Sequence, residues 1–154
     1  MSGDPEMRHG QMYPLTAGTV LFGLAVGLIG VAVALGVVVL LKTLLGEGLM
    51  QMHSGAAAAM GAIVIGTQAM KDDRANGARW LKWIVAVVPV SAASAFGAAM
   101  AGLVTGLLAP GLHNDALNFM AAVIGAFLGM LPAMYVILFR SRLFRLDANP
   151  PPEA

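Results

Sequence analysis

MKDDRANGARWLK, residues 70–82, holds six of the seventeen acidic and basic side chains in a chain of 154 residues. Long charge-free runs lie on either side of it. Charges crowd into a short stretch when the flanks have been cleared of them, and hydrocarbon imposes that clearing. Uninterrupted gaps in Asp, Glu, Lys and Arg cover residues 9–41, 48–70, 83–114 and 116–139. Each can hold the roughly 20 apolar residues that a helix rising about 1.5 Å per residue needs to cross about 30 Å of hydrocarbon.

The composition agrees. Hydrophobic residues make up 58% of the chain and charged ones 11%, against about 25% charged in an ordinary soluble domain, and the mean hydropathy is +0.80. Barrel strands would be segments of about ten residues with alternating polarity, and nothing here alternates. The expected fold is therefore all-α, a polytopic membrane protein with four transmembrane helices in a compact bundle. The divisions are a leader over 1–15, spans over 16–41, 49–70, 83–108 and 116–139, a hairpin over 71–82 and a tail over 140–154. The first run is too long for a cleaved signal peptide, and its leader carries Asp4 and Glu6 beside Arg8, so it is expected to remain as a span. Cysteine is absent, which excludes disulfides, thiolate metal sites and cysteine nucleophiles.

Lys and Arg near span ends are held on the cytoplasmic side. With four crossings, Arg8, the 71–82 hairpin and Arg140, Arg142 and Arg145 share one side, and Lys42 alone is opposite. Both termini are then cytoplasmic, and the hairpin turns at Asn76-Gly77. A three-crossing chain whose second run only dips into the bilayer gives the same charge split with the amino terminus outside, so charge leaves both open. Four crossings are preferred because Tyr13, Trp80, Trp83 and Tyr135 then lie at one interface. Lys71, Arg74, Arg79, Trp80, Trp83, Arg140, Arg142 and Arg145 are read as membrane anchors. Such arginines near an anionic leaflet contribute about 1 kcal/mol each.

Small residues recur every four positions: Ser54, Ala58, Ala62 and Gly66; Ser94, Ala98, Gly102 and Gly106; Ala121, Gly125, Gly129 and Ala133; and Gly23 with Gly27. Residues four apart share a helix face, and small ones let backbones approach where lipid supplies no hydrophobic drive for association. These faces are expected to be buried against helices. The second run is small nearly all round, which makes it a poor lipid-facing helix and places it centrally or against a partner. Pro89 and Pro132 each remove a backbone hydrogen bond, and Ser91 and Ser94 are near enough to serve the freed carbonyls.

No Asp, Glu, Lys or Arg lies inside any of the four runs, whereas proton relays and coupled transport depend on such residues. Thr105, Gln68 and Asn118 are the polar residues near span ends, and hydrogen bonds between helices account for them. Met50, Met52, His53 and His113 fall on the outer side, a candidate site for copper(I) or zinc, although their spacing singles out no ligand set. No HExxH, GxSxG or phosphate-cradling glycine loop occurs, so neither an enzyme nor a cofactor is expected. A net charge of +1 with no basic face outside the anchors argues against nucleic-acid binding.

The order of a small-residue second span, a short charged hairpin and a third span, in SGAAAAMGAIVIGTQAMKDDRANGARWLK from Ser54 to Lys82, resembles a group of small four-span bacterial inner-membrane proteins without an assigned activity. The resemblance implies a topology and carries no functional residue. The function expected is that of a non-catalytic accessory or interaction subunit, packing through small-residue faces on other integral-membrane subunits or on itself. The alternative is a conduit or binder for a metal ion or small solute with the Met/His cluster at its outer mouth.

Overall fold

The computed structural model describes residues 16–46, 57–70, 79–108 and 115–137. All regular structure among them is helical: α1 Ala17–Leu45, α2 Met60–Met70, α3 Arg79–Leu108 and α4 Asp115–Tyr135. Three of the four helices, α1, α3 and α4, are long and apolar enough to cross a membrane.

Local chemistry fixes the ends of α1. Thr16 caps its start, its hydroxyl accepting from the Thr19 backbone N–H at 3.4 Å, which satisfies one of the first-turn donors that no helical carbonyl reaches. At the other end Gly46 takes a φ of 89° and returns its N–H to the Lys42 carbonyl at 2.9 Å. Glycine adopts that backbone without a Cβ penalty, and Lys42 in the last turn complements the negative helix end. These devices carry α1 past the charge at Lys42, four residues beyond the expected boundary at 41.

The helices pack up-down-up-down. Gly23 of α1 meets Gly66 and Met70 of α2, and Gly30 meets Ala62, so α1 and α2 run antiparallel. Gly30 also meets Val87 and Ser91 of α3, while further along α1 the side chains of Ala34 and Val38 join Ala95, Ala98 and Ala99 of α3. Thus α1 and α3 run parallel. Gly97 of α3 lies on Gly125 and Gly129 of α4, with Ala93 beside Gly129 and Ala101 beside Gly125, so α4 runs back. The start of α1, the end of α2, the start of α3 and the end of α4 consequently share one end of the bundle.

Two clusters fill the interior. At the shared end, Val26, Ile65, Ala69, Trp83, Val87, Val90 and Met130 pack together. At the other, the core is almost entirely alanine, with Ala57, Ala58, Ala122 and Ala126 joining the residues named above. Most of the large aliphatic side chains point outward, as in Leu28 at 70% exposed and Leu44 at 72%. This inversion of the soluble pattern follows from the solvent: lipid accepts leucine as readily as a protein interior does, and small residues bring backbones together.

Candidate functional site

The small-residue seams between helices form the feature that the sequence singled out. Along α1 and α2, a Cβ added at Gly23 would overlap Met70 and lie 2.8 Å from the Gly66 carbonyl oxygen, and one added at Gly66 would lie 2.9 Å from the Gly23 carbonyl oxygen. Gly27 is in looser contact, 3.8 Å from the Ala62 carbonyl oxygen. Ala58 and Ala62 are fully buried. Gly30, not singled out by the spacing, is tighter than Gly27: its Cβ would meet Ala62 Cβ and Ser91 Oγ, each at 2.6 Å.

Between α3 and α4 the contact is backbone on backbone. A Cβ on Gly97 would overlap the Gly125 carbonyl, one on Gly125 the Gly97 carbonyl, and one on Gly129 the Ala93 carbonyl. The α3 side of this seam is Ala93, Gly97 and Ala101, one position before the Ser94, Ala98, Gly102 and Gly106 stripe. That neighbouring stripe faces elsewhere. Ser94 and Ala98 are buried, Ala98 with Ala57 and Ala58 in the same core cluster, whereas Gly102 and Gly106 have no described atom within 4 Å of where a Cβ would stand. The period of four was readable for both stripes. Which one meets α4 depends on the phase of α3 about its own axis, and only the partner sets that phase.

The buried polar side chains among the described residues are Lys82, Ser91 and Ser94. Ser94 Oγ accepts the Gly61 N–H at 3.3 Å, supplying an acceptor to the first turn of α2 from a different helix, where a Cβ on Gly61 would stand 2.8 Å from Ser94 Cβ. Neither serine has the role expected of it at Pro89. Ser94 serves α2, and the Ser91 hydroxyl, fully buried, has no hydrogen-bond partner among the described residues. Pro89 and Pro132 lie within continuous helices with exposed rings, and the chain widens to a π turn at 136–137, soon after Pro132. Thr105, expected to bond across helices, donates to its own Ala101 and Gly102 carbonyls at 3.0 and 2.9 Å. Within a helix those carbonyls lie in reach of any threonine rotamer that points back a turn.

Of the anchoring residues, Trp83 is 7% exposed, packed inside the bundle rather than on its rim, and Tyr135 is exposed. Arg79 and Trp80 belong to the first turn of α3. Lys71, Arg74, Arg140, Arg142 and Arg145 lie outside the described residues, as do Met50, Met52, His53 and His113 of the candidate metal cluster.

Set against protein-family models, curated proteins and solved structures, the chain matches none of them.

Proposed function

We propose that the chain is a non-catalytic interaction subunit of a bacterial inner membrane, crossing the bilayer four times with both termini in the cytosol. Its partners are other integral-membrane chains or a second copy of itself. The observation that carries this reading is the inside-out distribution of side-chain size. Glycine and alanine bring helix backbones into contact along the seams, and most of the large aliphatic residues form the outer wall. Such a bundle offers its wall to lipid and to other helices.

The parallel run of α1 and α3 supports four crossings, because two parallel helices need a return passage between them. The three-crossing alternative requires α1 and α3 to be antiparallel. Residues 57–70 lie beside α1 from the level of Gly23 to that of Val38, a stretch of about 22 Å at 1.5 Å per residue.

The seams revise where an interface is to be sought. Gly125 is consumed within the chain by Gly97, so a large residue there tests internal packing, while Gly102 and Gly106 are the positions at which a large residue tests external contact. The experiment is affinity capture in mild detergent with mass spectrometry of what comes down. Co-purifying membrane chains, or a second copy of this one, are expected, and they are lost from Gly102→Leu while the variant still inserts. A monodisperse monomer with no companion would falsify the reading.

A further inference from the structure

The second span is interrupted inside the bundle. The chain is helical at Ala57 and Ala58, turns at Ala59 and is helical again from Met60. This is not a rim: Ala57, Ala58 and Ala62 are each 1% exposed or less. Nor does the local sequence demand a break, since alanine is the strongest of helix formers. Proline, a glycine–serine pair and a widened turn do not occur over residues 57–62, which leaves an outside group inserted into the hydrogen-bond ladder as the cause. That group is Ser94 of α3. Its Oγ accepts the Gly61 N–H at 3.3 Å, a donor that an unbroken helix directs to the Ala57 carbonyl four residues back. Gly61 admits it, because a Cβ there would stand 2.8 Å from Ser94 Cβ and 3.0 Å from the Val90 carbonyl oxygen. By Ile63 the ladder has resumed, its N–H on the Ala59 carbonyl at 3.1 Å.

We infer that the second span is a two-state helix hinged at Ala59, with the hydrogen bond from Gly61 to Ser94 as the latch of the broken state. In the other state the Gly61 N–H bonds the Ala57 carbonyl and the helix runs straight through. Each state satisfies the Gly61 donor once, and the latch is longer than the usual spacing of about 2.9–3.0 Å, so hydrogen bonding leaves the two close in energy. Packing holds the broken state. Ala57 and Ala58 share the outer core with Ala34 of α1, Ala98 of α3 and Ala126 of α4, and straightening gives up those contacts, which is why loss of the latch is destabilising. The inner half is fixed differently: the Gly23 and Gly66 backbones touch, and Ile65 and Ala69 belong to the other core. Straightening therefore redirects only the outer part of the span, opening the alanine core while the inner core stays closed. Ser91, nearly one turn earlier on α3 and just as buried, lies against Gly30 and takes no part in the latch.

Carbon-13 NMR of the full chain in lipid nanodiscs reads the state of the hinge, since a helical Cα and a carbonyl carbon whose oxygen accepts a hydrogen bond both resonate downfield. In the parent chain the Ala59 Cα is expected upfield of the helical range. In Ser94→Ala it moves downfield into that range, and the Ala57 carbonyl carbon moves downfield with it. Gly61→Ala is expected to do the same, because the added Cβ displaces Ser94, whereas Ser91→Ala leaves both resonances in place. The Ile65 and Ala69 resonances stay unchanged throughout. A helical Ala59 in the parent, or an Ala59 that remains upfield in both Ser94→Ala and Gly61→Ala, overturns the inference. Loss of the Ile65 and Ala69 resonances in Ser94→Ala overturns it as well, because the hinge confines the change to the outer half of the span.

Discussion

Gly125→Ala adds one methyl group where the backbones of α3 and α4 touch. The new carbon overlaps the Gly97 carbonyl oxygen and Ala101 Cβ and lies 3.0 Å from the Gly97 carbonyl carbon. Two of these three neighbours are backbone atoms of a helix, which cannot swing away as a side chain would, so α3 and α4 must separate along the seam. Overfilling a packed interior costs about 1–3 kcal/mol, and the backbone contact places this case near 3 kcal/mol. Alanine recovers about 1 kcal/mol of helix propensity relative to glycine, leaving a net loss of about 2 kcal/mol, a factor of roughly 30 in the folded-to-unfolded ratio. Equilibrium unfolding in mixed micelles, followed by the fluorescence of Trp83 within the shared-end core in a Trp80→Phe background, measures it. A Gly125→Ala chain as stable as the parent would refute the reasoning, because α3 and α4 could not then be held at the separation described.

Gly36→Ala makes the opposite test: no described atom stands within 4 Å of the added carbon, so stability rises by about 1 kcal/mol in the same titration. Ser94→Ala leaves the Gly61 N–H without the Ser94 acceptor and is expected to cost about 1–2 kcal/mol, whereas Ser91→Ala removes a hydroxyl with no hydrogen-bond partner among the described residues and should be neutral or stabilising; reversal of that order contradicts the hydrogen-bond assignment. Thr16→Ala removes the cap of α1 and costs about 1 kcal/mol, seen as faster amide exchange confined to the first turn. Gly46→Ala places a Cβ at a φ of 89° and a ψ of 149°, a region that is essentially glycine-only, and costs about 1–3 kcal/mol, read as fraying at the last turn of α1.

The helical, membrane-compatible architecture was legible because it depends on a coarse signal, the spacing of seventeen charges, which hydrocarbon enforces regardless of how helices pack. The identity of the contacts was less legible. Period-four spacing placed Gly125 and Gly129 on one face, and they do meet α3 at close range, but the same rule did not distinguish the Ala93, Gly97 and Ala101 stripe from the one beside it. Gly30 escaped notice because it stands three residues from Gly27, off the simple period. Trp83 illustrates a different difficulty. An aromatic next to a charged hairpin has the composition of an interfacial anchor, yet α3 begins at Arg79, and one turn into that helix the indole is turned toward Val87 and Met130. Serines near a proline suggested local carbonyl partners, and the nearer need proved to be an amide at the start of α2.

The measurement that bears most directly on the account is sidedness of single cysteines introduced at Gly3, Gly48, Gly77 and Gly111, reacted in intact spheroplasts with a thiol reagent that cannot cross the membrane. Four crossings with cytosolic termini predict labelling at Gly48→Cys and Gly111→Cys, and protection at Gly3→Cys and Gly77→Cys until the membrane is opened. Labelling of Gly3→Cys from outside with Gly77→Cys still protected would contradict the account, since α1 and α3 could not then traverse the bilayer in the same direction.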